Sequence, residues 1–183
     1  MTATLIVLAV VVVVLVVSVL IYNGLVRRRN QVDNAWSQID VQLKRRYDLI
    51  PNLVETVKGY AGHEQGTLEA VTEARARAIS AQGPADQASA ENVLTGALKS
   101  LFAVAESYPD LRASRNFLEL QQELSATEDR AAYARQYYND AVLTYNNAVT
   151  TVPQNIFAVI FRFRTREYFQ AGGEERGPVQ VQF

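Results

Sequence analysis

Residues 3–22 form an almost unbroken run of Val, Leu, Ile and Ala, interrupted only by Thr4 and Ser18. No other feature limits the folding of this chain so tightly. At about 1.5 Å per residue, roughly 20 apolar residues cross the hydrocarbon layer of a bilayer. Valine is a mediocre helix former in water. In lipid an unpaired backbone amide costs several kcal/mol, which drives such a run into a helix that closes its own hydrogen bonds. A small hydroxyl such as that of Ser18 can bond back to the preceding turn. The rival reading, a cleaved signal peptide, wants a basic segment before the run and a small-residue cleavage site after a shorter apolar core. Here no Lys or Arg precedes the run, and Arg27, Arg28 and Arg29 follow it. A buried core helix fits poorly, because the run has no polar face. The expected arrangement is a single-pass anchor with Leu5, Val10, Val14 and Leu20 in lipid and Tyr22 at the interface. The positive-inside rule puts the N-terminus outside and Arg27, Arg28 and Arg29 against the cytoplasmic leaflet.

What remains of the 183 residues is enough for one ordinary domain. A formal charge of −1 gives no drive towards nucleic acid. The absence of cysteine excludes disulfides and thiolate metal sites, and His63 is the only histidine.

Periodicity predicts helices. From Leu25 to Ala61 the positions Val32, Trp36, Ile39, Leu43, Tyr47, Ile50, Val54, Val57 and Ala61 recur in steps of three and four, one face of a helix. Pro51 lies within this run. Because the apolar phase survives it, a kink is expected; the alternative is two helices, with Asp48 capping the second. A second helix is expected over about 63–82, ended by Gly83-Pro84, and a third over about 86–107, ended at Tyr108-Pro109-Asp110. Asp110 can cap the next helix. The fourth carries the strongest signal: Phe117, Leu120, Leu124, Thr127, Ala131, Ala134, Tyr138, Ala141, Tyr145 and Ala148 form a heptad seam. Lys44, Arg45 and Arg46 read as a solvated face, paired in part with acidic residues of the fourth helix.

After Pro153 comes an apolar and aromatic stretch with arginines, residues 156–169. Up-and-down connectivity with short turns returns the fourth helix, about 55–60 Å long, towards the bilayer. The stretch then either lies at headgroup level or contacts another subunit, or it caps the end of the bundle. Asn139 and Asn146, each following a seam tyrosine, form either a polar rim or a recognition stripe. Glycine and proline mark residues 171–183 as a flexible tail, in which Val179, Val181 and Phe183 alternate as a short strand would.

These motifs together resemble the LemA family of membrane-anchored bacterial proteins. The resemblance is carried by Tyr22-Asn23, Arg29-Asn30-Gln31-Val32, residues 35–46, Asp48-Leu49-Ile50-Pro51-Asn52-Leu53-Val54, Val57-Lys58-Gly59-Tyr60 and His63-Glu64. It continues through residues 105–111 and 117–121, then Glu123-Leu124, Thr127-Glu128, Arg135, Tyr138-Asn139, Tyr145-Asn146, Pro153 and Arg166-Glu167-Tyr168-Phe169. One departure is Phe161-Arg162-Phe163, where a small residue is expected between the aromatics. The resemblance implies an accessory or scaffolding role in the envelope and carries over no catalytic residues.

The sequence therefore predicts an all-α chain. A transmembrane anchor (1–26) continues into a cytoplasmic antiparallel up-and-down bundle of about four helices (27–152). An apolar, aromatic C-terminal segment (153–170) and a flexible tail (171–183) come after it. Candidate interface residues are Tyr138, Asn139, Tyr145, Asn146, Phe157, Phe161, Arg162, Phe163, Tyr168 and Phe169. One histidine cannot supply a zinc or di-iron site, and no nucleophile elbow or phosphate loop is present. No metal and no cofactor are expected. The leading expectation is a non-enzymatic scaffold in the inner membrane that self-assembles and organises proteins or lipid. Its expected partners are membrane lipid, copies of itself and another membrane protein. An adaptor for a membrane protease or signalling protein is the alternative, and a cryptic hydrolase relying on His63 a distant one.

Overall fold

A computed structural model describes residues 2–170. The expected tail, with Val179, Val181 and Phe183, lies outside the described residues. Among the described residues the chain is all-helical, without strands. In order come α1 (Thr2–Tyr60), α2 (Gln65–Ser80), α3 (Gly83–Glu106), α4 (Pro109–Arg112), α5 (Arg115–Thr150) and α6 (Gln154–Ile160). The four expected helices are α1, α2, α3 and α5, and among the described residues two short ones, α4 and α6, add to them. Pro109 starts the single turn of α4, which buries Leu111, and α6 follows Pro153. Asp110 therefore lies inside α4 and does not cap α5.

Pro51 lies inside α1, which continues unbroken on both sides of it. His63 falls in an exposed turn before α2, not within it. Between α2 and α3 the chain reverses at Gly83, whose φ of +80° suits glycine. Pro84 follows in the first turn of α3, where its missing N–H is no loss.

The chain divides into two units. The first comprises Met1–Ser37 and Tyr137–Glu167. In it Leu25, Val32 and Ala35 of α1 are buried, as are Tyr138, Ala141, Val142 and Tyr145 of α5. Trp36 meets Tyr138 edge-on, with ring centroids 5.4 Å apart, an arrangement that adds about 0.5–1.5 kcal/mol beyond area burial.

The second unit comprises Gln38–Gln136 and, among the described residues, Tyr168, Phe169 and Gln170. Its core takes Ile39, Leu43, Ile50, Leu53 and Val57 from α1, Leu68 and Val71 from α2, Leu94 and Leu101 from α3, and Phe117, Leu124 and Ala131 from α5.

Charged and polar groups are embedded in that core. Arg46 is only 4% exposed, so it is not part of a solvated face. Position 46 lies between Leu43 and Ile50 on the inward side of α1, which turns its guanidinium into the unit. Arg46 Nη1 donates to Glu91 Oε2 at 2.7 Å, and Nη2 donates to Thr95 Oγ1 at 3.0 Å. Nη2 also lies 2.7 Å from Glu128 Oε2 of α5. Arg135 completes the chain of charges with a 3.1 Å bond to Glu128 Oε1. The Tyr47 hydroxyl donates to Glu91 Oε1, and Gln87 Nε2 donates to the Tyr47 hydroxyl at 2.8 Å and to the Ala78 carbonyl at 3.2 Å. Burial, and then the Glu91 carboxylate, push the Tyr47 pKa above its ordinary value of 10.0. Two arginines and two glutamates balance one another, so the desolvation of each is offset by its partners.

Candidate membrane-contacting site

Every side chain expected in lipid is exposed on α1. Leu5, Val10, Val14, Leu15 and Leu20 all present apolar surface, Leu15 at 60%. Ser18 Oγ donates to the Val14 carbonyl at 2.7 Å, which satisfies the hydroxyl within its own helix. A mean hydropathy of 3.5 and complete lack of burial over an 18-residue window make this part of α1 long and apolar enough to cross a membrane. The exposure ends abruptly. Leu25, on the same continuous helix, is 0% exposed.

Within the first unit the segment after Pro153 lies against the end of the apolar run. Tyr22 meets Phe161 and Phe163 edge-on, at centroid distances of 4.8 and 5.9 Å. The Arg29 guanidinium stacks over the Phe163 ring at 5.4 Å, a cation–π contact of about 0.5–1 kcal/mol where exposed. Ser18, Val19 and Tyr22 of α1 face Phe157, Ile160 and Phe161 across an open groove of about 390 Å³. Along α6 and its C-cap, Ile156, Val159, Ile160 and Phe161 are exposed, Val159 at 80%. A seven-residue helix with so much apolar surface exposed, next to an exposed apolar span, is unusual for a surface in water.

The C-terminus of α6 closes in a Schellman arrangement. Phe163 N donates to the Ala158 carbonyl at 2.8 Å, and Arg162 N donates to the Val159 carbonyl at 3.3 Å. This cap requires a left-handed residue, and Arg162 supplies it with φ of 57°. In an L-residue other than glycine that conformation costs about 1–2 kcal/mol. The small residue expected between the two aromatics is therefore the one this backbone favours. Arg162 departs from it at a conformational cost.

Of the other candidate interface residues, Tyr138 and Tyr145 are buried, Tyr145 to 1% exposure, and burial raises the pKa of both. The Tyr138 hydroxyl donates to the Glu167 carbonyl at 2.8 Å. Asn146 Nδ2 donates to the Arg166 carbonyl at 2.9 Å, while Arg166 N donates to Asn146 Oδ1 at 2.8 Å. Arg166 Nη2 reaches Asp33 Oδ1 at 2.8 Å. Asn146 thus grips the backbone of the extended C-terminal segment as a neighbouring strand would. Asn139 is half-buried. Tyr168 and Phe169 belong to the second unit, where Tyr168 is exposed and Phe169 is buried under Arg135 at 5.6 Å. Arg27 and Arg29 are exposed and Arg28 half-buried. No group of three or more His, Asp or Glu able to hold a metal ion occurs among the described residues.

Periodicity missed three features: the inward Arg46, the Arg75 bond to the backbone of α1, and the strained Arg162. Gln87 and Glu91 had a legible signal, since they share the spacing of Leu94 and Leu98 on one face of α3.

An exposed apolar helix that becomes a core helix within about one turn fits a membrane-associated helical protein, and among the described residues it is the one candidate span. The chain matches the LemA family over residues 35–183 and belongs to that family. It is 29% identical over 163 residues to Protein LemA of Metamycoplasma hominis, covering 87% of this chain and 73% of that protein. It is 28% identical over 175 residues to magnetosome protein MamQ 2 of Paramagnetospirillum magneticum. It is 26% identical over 174 residues to magnetosome protein MamQ of Magnetospirillum gryphiswaldense. Each MamQ match covers 81% of this chain, which spans only 64% of the relative.

Proposed function

We propose that this protein is a non-enzymatic scaffold, anchored by residues 3–22 and facing the cytoplasm, that self-assembles at the inner leaflet. One observation carries the reading. The anchor and the core-bearing helix are one continuous α1, exposed and apolar at Leu15 and fully buried at Leu25. No flexible linker separates membrane from module within the first unit. The orientation rests on Arg27, Arg28 and Arg29, which directly follow the apolar run. Arg46, Glu91, Tyr47 and Gln87 of the second unit bond to one another, and His63 stands exposed in a turn. Tyr133, Tyr137 and Leu143 leave large side chains exposed along α5. Confinement to a membrane plane raises the effective concentration of such faces, so weak side contacts suffice for clustering. Native mass spectrometry of the full chain in lipid discs tests this. Several copies per disc are expected, and a strict monomer at high density would contradict self-assembly.

The adaptor reading keeps the same anchor and replaces self-contacts with a foreign partner. Crosslinking in cells separates the two: self-links support the scaffold, reproducible foreign links the adaptor.

A further inference from the structure

Arg162 holds a left-handed backbone at a position where glycine costs least. Its side chain is exposed and makes no hydrogen bond, ion pair or ring contact with a described residue. The left-handed turn itself serves the α6 cap, which glycine would close at lower cost, so the arginine side chain at this position points to a use outside the fold. Two features adjoin it. The groove between the end of the apolar run and α6 is lined by Val19, Tyr22, Phe157, Ile160 and Phe161, with Ser18 already satisfied by its own helix. Beside it the Arg29 guanidinium is held over the Phe163 ring at 5.4 Å.

We propose that this groove and Arg162 form a binding site for one anionic phospholipid of the leaflet facing Arg27, Arg28 and Arg29. An acyl chain lies along Val19, Phe157 and Ile160, continuous with the lipid around the span. The headgroup phosphate meets Arg162, and Arg29, oriented by Phe163, is the second cation. Charge and polarity agree with this occupant: an apolar slot opens beside exposed cations, as a lipid is apolar below an anionic head. The site rests on the reading of residues 3–22 as a membrane span.

The test uses the full chain in discs made of equal parts phosphatidylcholine and phosphatidylglycerol, with the lipids retained on the released protein identified by native mass spectrometry. Wild type is expected to retain phosphatidylglycerol over phosphatidylcholine by about fivefold or more, the ratio equivalent to ~1 kcal/mol per basic residue near an anionic leaflet. Arg162→Gly relieves the left-handed strain, so it should enter discs equally well, melt no lower than wild type and lose the preference. Arg162→Gln removes the charge without adding glycine's freedom and should lose the preference too. Retention of the two lipids without preference by wild type, or an undiminished preference in both variants, overturns the proposal and leaves the anchor standing. Failure of wild type to enter discs overturns both.

Discussion

Arg75 Nε of α2 donates to the Tyr47 carbonyl of α1 at 2.8 Å, and Tyr47 is the acceptor that Pro51 leaves without its helical N–H. Proline at position 51 deletes the bond to the carbonyl four residues earlier. A side chain from the next helix supplies the missing donor.

Arg75→Leu should therefore lower the stability of the second unit by about 1–3 kcal/mol, the range for a charged bond whose partner is left unsatisfied. In a Pro51→Ala background the backbone N–H restored at position 51 can reach the same carbonyl, so the cost of Arg75→Leu should shrink. A double-mutant cycle in urea measures the coupling. Equal costs in both backgrounds would show that Arg75 does not compensate for the proline.

The buried ion pair gives a second expectation. Glu91→Ala leaves Arg46 with only the half-exposed Glu128 as counter-charge and takes away the acceptor of the Tyr47 hydroxyl, and should cost about 3–5 kcal/mol. Arg46→Met combined with Glu91→Leu should cost much less, because no charge is then stranded. Thermal unfolding followed by circular dichroism compares them; a double variant as unstable as Glu91→Ala would refute the stranded-charge explanation.

Tyr47 sets an alkaline limit. Its folded pKa is raised above the unfolded value of 10.0, so the folded state holds the proton more tightly. That contribution is fully present below pH 10.0 and declines as pH rises above it, when the unfolded hydroxyl ionises and the folded one does not. Stability measured from about pH 8 to 11 should fall at the upper end, and Tyr47→Phe should reduce the fall. Tyr138 and Tyr145 shift in the same direction and account for a residual slope. A Tyr47→Phe profile as steep as wild type would contradict this origin.

Asn146→Ala removes both bonds to the Arg166 backbone. Because the site is exposed, global stability should drop by only about 1 kcal/mol. Amide exchange at Arg166, read by hydrogen–deuterium exchange, should nevertheless rise to that of an open segment; unchanged protection there would show that Asn146 does not hold it.

The helical architecture was legible because burial repeats in steps of three and four. The seam from Phe117 to Ala148 is buried or half-buried at every position read from sequence, as is the α1 face from Val32 to Ala61. Pro51 kept the phase because Arg75 repairs the bond it removes, a long-range contact invisible to local pattern. The expected pairing of this basic run with an acidic residue of the fourth long helix is met by Arg46 and Glu128 of α5, but the burial of Arg46 was not legible, because a run of three basic residues looks like a solvated surface and its other partner, Glu91, comes from α3. The aromatic stretch after Pro153 was identifiable by composition. Its short helix and left-handed Arg162 depend on cap geometry that composition does not encode.

In the proposed arrangement residues 3–22 cross the membrane and hold the rest of the chain on the cytoplasmic side. The chain has no cysteine, so single cysteines report cleanly. Thr2→Cys and Ser100→Cys variants in intact cells, treated with a membrane-impermeant maleimide, test it directly. Labelling of position 2 in intact cells, with position 100 labelled only after lysis, is the expected result. Labelling of position 100 in intact cells would contradict the claim.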